Sequence, residues 1–226
     1  VSNLLWTCYN IQNCTFINEA FQSPLFRANV TSLLVFFDCR GNSIPAWYRS
    51  EHQPSTKLAL VSISAKAKQH IASVDQGMPP PAVANISLSQ EEVQDIAACN
   101  ETNRKYYFTF VGGVRNQVRA ALLRLHDPSN GVISLGRWEF PTRSRNISYI
   151  DMLKQSQFAA TPRGDNLFSY RFAEVLAAGA IPVVHSDGWV LPFRFELVNW
   201  SACLIRIPEA QVNNTVSILN RITAEK

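Results

Sequence analysis

After Lys105 the apolar residues fall into short runs that alternate between two periods. Residues 106–111, 132–135 and 180–184 are near-continuous apolar stretches of strand length, the pattern of strands covered on both faces. The run 158–160 stops at Thr161-Pro162, where proline removes a ladder donor and biases the residue before it to an extended shape. Between these runs, 115–126, 149–156, 166–179 and 210–222 carry apolar positions at helical spacing; Val118, Ala121, Leu122 and Leu125 share one face, as do Phe168, Phe172, Val175 and Leu176. A last strand is expected over 202–207. Alternating strands and helices with short connections predict a doubly wound parallel sheet.

The first part of the chain is sparser. Strands are expected at 33–37 and 58–63, a short helix at 64–71 and a helix from the capping box Ser89/Glu92 to about Cys99. Residues 1–31 show no sustained period and receive no element. Gly77 to Pro81 is stiff and extended, and it reads as a linker. The organisation expected is a partial N-terminal α/β domain over 1–80, a linker and helix over 81–102, and a Rossmann-like domain over 103–226.

Residues 158–193 carry the candidate chemistry. Ligands of a parallel sheet sit at the carboxyl ends of its strands, and three loops lie at such ends: Gly112-Gly113, Arg163-Gly164, and His185 to Gly188. A helix opening at about Asn166 would aim free N–H groups at that edge, which favours a phosphate or carboxylate. Arg163 stands in the mouth. Arg171 and Glu174, three apart, share a helix face, where Glu174 is placed to accept from a ribose or to pair with Arg171. Trp189 is suited to stacking on a ring or to filling a core. The reading is therefore a nucleotide whose diphosphate lies at the helix tip.

The segment resembles the signature of the exostosin family of glycosyltransferases. The residues that carry it are Pro162-Arg163-Gly164, Ser169-Tyr170-Arg171-Phe172, Glu174-Val175-Leu176, Gly179 to Val184, Asp187-Gly188-Trp189, Leu191-Pro192-Phe193 and Val198-Asn199-Trp200. Weaker likeness runs upstream through Lys105 to Gly112, Arg115 and Arg119, and to Val74 to Pro80. The resemblance implies a GT-B-like architecture with a UDP-sugar donor on the second domain, a glycan or glycoprotein acceptor on the first, inverting transfer, and a Golgi or other secretory-pathway lumen. It also implies a membrane anchor outside this sequence, and it leaves a homo- or hetero-dimer open. Together with the strand-end placement, it gives Arg163 and Arg171 as the expected catalytic residues, and Gly112, Arg115, Gly164, Ser169, Tyr170, Glu174, His185, Asp187, Gly188 and Trp189 as the expected substrate residues.

Composition narrows the class. With 46% hydrophobic and 17% charged residues in 226, the chain is globular; its net charge of +4 comes without a Lys/Arg run, which speaks against nucleic acid. No apolar span of membrane length occurs, and no leader pattern opens the sequence. Seven N-x-Ser/Thr sequons, at Asn13, Asn29, Asn85, Asn100, Asn146, Asn199 and Asn213, suit a secretory lumen, although Asn199 is expected near the core. Five cysteines lack a C-x-x-C pair, which argues against structural zinc.

Transfer from a nucleoside diphosphate needs cations for the leaving phosphate and a base for the acceptor hydroxyl. No Asp-x-Asp metal motif occurs, so no metal or cofactor is expected and the arginines are assigned that charge. For the base, Asp38, His70 and Asp75 stand open, as do His185 and Asp187 at the crevice. The alternative is a catalytically inactive exostosin-like subunit that supports a partner enzyme. A dinucleotide oxidoreductase fits poorly, because Gly112-Gly113 is not G-x-G-x-x-G.

Overall fold

The computed structural model describes residues 4–8, 32–36, 58–62, 76–77, 86–97, 104–143, 147–193 and 198–225. The chain forms two compact units, one drawn from Val1–Pro79, Asp165–Leu167 and Gly188–Trp200, the other from Pro80–Gly164, Phe168–Asp187 and Ser201–Lys226. The first holds a parallel sheet of β1 (Leu4–Cys8), β2 (Ser32–Phe36), β3 (Leu58–Ser62) and β4 (Gln76–Gly77), in that spatial order. Strand β1 falls where no element is expected: a five-residue stretch, Leu4 to Cys8, has no sustained period of its own, and its pairing with β2 defines it. The expected helix at 64–71 lies outside the described residues.

The second unit is built on β5 (Tyr106–Gly112), β6 (Val132–Gly136), β7 (Ser156–Pro162), β8 (Ile181–His185) and β9 (Ile205–Arg206), all parallel in the order β6-β5-β7-β8-β9. The class expected from the sequence, a doubly wound Rossmann-like α/β sheet, is the one observed. Successive strand side chains point to opposite faces, and the core divides accordingly. Phe108, Phe110, Phe158, Ala160 and Val183 pack against Val118 and Leu122 of α2 (Gln117–Leu123) and Leu219 of α6 (Thr215–Ala224). On the other face, Ala159 meets Leu153 of α4 (Tyr149–Lys154) and Val175 of α5 (Arg171–Ala177), while Val111 and Leu135 meet Phe140 of α3 (Phe140–Arg143) and Met152.

Element boundaries follow local chemistry. Ser89 and Glu92 form the reciprocal capping box of α1 (Gln90–Ala97), at 2.7 and 3.1 Å. Asn116 caps α2, accepting from the Arg119 amide at 3.1 Å, so that helix starts at Gln117 and not at Arg115. Gly179, at φ 71°, closes α5 with two reversed bonds, Gly179 N to Leu176 O at 3.0 Å and Ala180 N to Val175 O at 3.1 Å. The closing strand is only Ile205–Arg206, paired with Val183 and Val184. Pro208 ends it, and a 3-10 turn over Glu209–Asn214 precedes α6. No helix among the described residues is long and apolar enough to cross a membrane.

Candidate functional site

The chain starts this sheet at β5, moves outward to β6 and returns past β5 to β7. Strand order therefore reverses between β5 and β7, the switch point where open α/β sheets leave a crevice beyond the strand ends. Two loops meet there. Asn116, just past β5, donates through Nδ2 to the carbonyls of Arg163 and Gly164 at 3.3 and 2.9 Å, and Arg119 Nε donates to the Arg163 carbonyl at 2.9 Å. On the β8 side the Arg163 amide donates to the His185 carbonyl at 2.9 Å. The backbone of Arg163 is thus held from both neighbours, which fixes where its side chain leaves the sheet.

That side chain is lightly engaged. Its Nη1 lies 3.8 Å from Glu209 Oε1, an ion pair too long for a hydrogen bond, and its Nε is buried without a hydrogen-bond partner among the described residues. Glu209 is committed elsewhere: its Oε1 accepts from the Asp187 amide at 3.0 Å, and its own amide donates to the Asp187 carboxylate at 3.2 Å. Asp187 therefore clasps the turn after β9 and is exposed.

Arg171 is placed differently from the expectation. The helix begins at Arg171, not at Asn166, because Phe168 supplies an apolar side chain at helical spacing from a loop, edge-on to Tyr170 at 5.3 Å. The Phe172 amide already donates to the Ser169 carbonyl at 3.0 Å, which replaces the expected open amide tip. Ser169 is buried and Tyr170 half-buried at the helix start. From the first turn Arg171 reaches the end of β5, where Nη2 donates to the Val111 carbonyl and the guanidinium lies 5.0 Å from the Phe110 ring centroid. Gly112 is what makes room, since a Cβ there would sit 3.1 Å from Arg171 Nη2 and 3.0 Å from Phe110.

Arg171 and Glu174 are joined through a third group rather than to each other. Arg171 Nε donates to the Tyr149 hydroxyl at 3.2 Å, and that hydroxyl donates to Glu174 Oε2 at 2.9 Å. Burial pushes the Tyr149 phenol up to about 12, with the Glu174 charge adding to the shift and Arg171 opposing it. The phenol stays protonated and holds the chain of bonds in one direction. Glu174 is itself buried, in contrast to a solvated helix face. No hydrogen bond or ion pair joins Arg163 to Glu174 among the described residues.

His185 serves the fold with its ring and the crevice with its backbone. The ring is fully buried and shares a 2.8 Å hydrogen bond with Thr215, whose hydroxyl donates to the Val212 carbonyl at 2.7 Å, so His185 Nε2 is the donor of that pair. Burial lowers its pKa to about 4. A ring so enclosed does not line a binding surface, which corrects the placement expected from sequence. Arg115 is exposed beyond β5. Gly188 and Trp189 fall in the other compact unit, where Gly188 takes φ 74° and Trp189 is buried. Asp38, His70 and Asp75 lie outside the described residues.

A family model for the exostosin GT47 domain matches residues 35–222. The chain belongs to the exostosin GT47 family. It is 31% identical over 143 residues to exostosin-1 of Drosophila melanogaster, a match covering 55% of this chain and 19% of the relative. To the exostosin-1 homolog of Caenorhabditis elegans it is 41% identical over 128 residues, 48% of this chain and 33% of the relative. To a probable glycosyltransferase of Arabidopsis thaliana it is 31% identical over 114 residues, 50% of this chain and 21% of the relative. The chain thus matches a fifth to a third of the length of these relatives.

In this exostosin chain the sequence missed Tyr149, Asn116 and Glu209. Tyr149 reads as the first apolar residue of a helix, and only the packing of α4 beside α5 brings its hydroxyl to Arg171. Asn116 carried a usable signal, an amide side chain between a strand-end glycine pair and a helix. Glu209 carried none, because its role depends on β9 running beside β8.

Proposed function

We propose that the chain carries the nucleotide-sugar half of a glycosyltransferase, taking a UDP-sugar donor and passing the sugar with inversion to a glycan or glycoprotein acceptor. The observation that carries this reading is Arg163: its backbone is fixed at the strand-order switch point while its guanidinium keeps unused donors. A guanidinium with free donors beside a crevice is suited to the charge that builds on a leaving diphosphate. Arg171 adds a second positive charge at the end of β5, and Glu174, with one oxygen committed to Tyr149, has the other for a ribose hydroxyl. In this reading the transfer needs no metal, since two arginines supply the cationic charge.

The cellular setting we propose is a secretory-pathway lumen, with the parent protein anchored in the membrane. Support comes from the sequons: Asn199, expected near the core, is exposed, as is Asn213. Release of UDP from UDP-sugars, followed in the presence of glycan acceptors, tests the proposal. Arg163→Ala should slow release by about 100- to 1,000-fold, as loss of one transition-state donor does. Full turnover by that variant would remove Arg163 from the chemistry.

A further inference from the structure

Trp138 is 85% exposed, an unusual state for the largest side chain of all. It follows β6 in the turn Arg137 to Glu139, which is joined to the end of β5 by the Arg137 amide donating to the Gly112 carbonyl at 3.2 Å and is braced within itself by the Gly136 amide donating to Glu139 at 3.0 Å. The indole is thus displayed at the ligand end of the sheet, one strand from Arg171. Its surroundings are open. On the neighbouring strand end, a Cβ built on Gly113 would meet nothing within 4 Å, and Val114 is 61% exposed. The Arg137 guanidinium lies 5.8 Å from the indole centroid, which leaves a platform polarised by a cation.

We infer that Trp138 is the stacking platform for the nucleobase of the donor. The inference rests on the nucleotide reading given above, and it follows from the direction in which that reading lays the ligand. Arg163, for the diphosphate, has its acidic neighbour on the β8 and β9 side. Glu174, for the ribose, is tied through Tyr149 and Arg171 to the end of β5. A nucleotide running from the first to the second continues toward β6, and the side chain displayed there is a bare indole. A base needs only a π-face to stack on, and each such stack changes affinity by about 5- to 150-fold.

Calorimetry with UDP and with inorganic pyrophosphate, on the wild-type chain, Trp138→Ala and Trp138→Phe, decides the matter. The surface position makes both variants foldable. Trp138→Ala should weaken UDP by about 10- to 100-fold while leaving pyrophosphate unchanged, and Trp138→Phe should recover most of the loss. Unchanged UDP affinity in Trp138→Ala overturns the assignment; a rise in acceptor KM in that same variant would give the indole to the acceptor sugar instead. An equal loss for UDP and pyrophosphate also overturns it, since the effect would not be on the base. If the wild-type chain binds neither ligand, the nucleotide reading itself fails, and the inference fails with it.

Discussion

Arg163 and Arg171 stand eight residues apart at the same edge of the same sheet, yet the structure treats them as opposites. Arg171 is spent: the Val111 carbonyl, the Tyr149 hydroxyl and the Phe110 ring all hold it, and through Tyr149 it steadies a buried carboxylate. Arg163 is held by its backbone and left free at its side chain, with a 3.8 Å ion pair as its one charged contact among the described residues. A buried network of polar groups raises stability only when all its members are present, whereas a long, partly exposed ion pair contributes little. The contrast separates a brace from a hand. In the proposed reading Arg171 shapes the crevice and lends it charge, while Arg163 is available to the diphosphate.

Replacing Arg171 is expected to have the largest effect. Arg171→Ala strands the Val111 carbonyl and leaves the Tyr149–Glu174 pair without its cation, at roughly 2 to 4 kcal/mol of stability, and thermal melting should show it as a drop of several degrees alongside lost turnover. An unchanged melt would mean the network is not a unit. Arg163→Ala should do the reverse, costing turnover while the melting temperature moves by no more than a degree or two, because a long, partly exposed ion pair is worth about 0 to 1 kcal/mol. If both variants melt alike, the distinction between brace and hand is lost.

His185 offers a control outside the pair. Its folded pKa of about 4 lies below the ordinary value of 6.5, so it stays neutral in the fold while the unfolded chain takes up a proton as pH falls. Its contribution is complete above pH 6.5 and declines toward pH 4, by about 3 kcal/mol in all. Denaturant titrations across that range should show the decline, and replacement of His185 by Gln should flatten it; a wild-type stability independent of pH there would contradict the buried neutral ring. Tyr149→Phe gives the smallest effect. Removing the hydroxyl breaks both hydrogen bonds but keeps the ring, so stability should fall by about 1 to 2 kcal/mol, with a UDP affinity between wild-type and Arg171→Ala. A fall as large as that of Arg171→Ala would place the phenol, not the guanidinium, at the centre of the network.

Much of this was legible from residues alone, and the failures share a cause. Strand runs such as Tyr106 to Val111 and Ile181 to Val184 declare themselves because both faces are covered, and Gly179 ends its helix by local geometry that no neighbour alters. Arg163 and Gly164 could be set at a strand end from Pro162 and the turn residues. The start of the helix at Arg171 could not, because Phe168 mimics the helical period while packing as a loop residue on Tyr170. Tyr149 and Glu209 were invisible for a related reason: their roles arise from residues 22 positions away in each case, Tyr149 with Arg171 and Glu209 with Asp187, across adjacent elements. The direction of the His185 ring likewise depends on Thr215, which is 30 positions on. Local pattern gives elements and strand ends; it does not say which side chain a neighbouring element will claim.

The claim on which the rest depends is that the Arg163 guanidinium is left available at the switch point to a bound diphosphate. Titration of UDP into the wild-type chain and into Arg163→Ala, with folding verified by circular dichroism, tests it most directly. The account predicts at least a tenfold weaker affinity, about 1.4 kcal/mol, with an unchanged melting curve. Equal affinities in two equally folded proteins would contradict it.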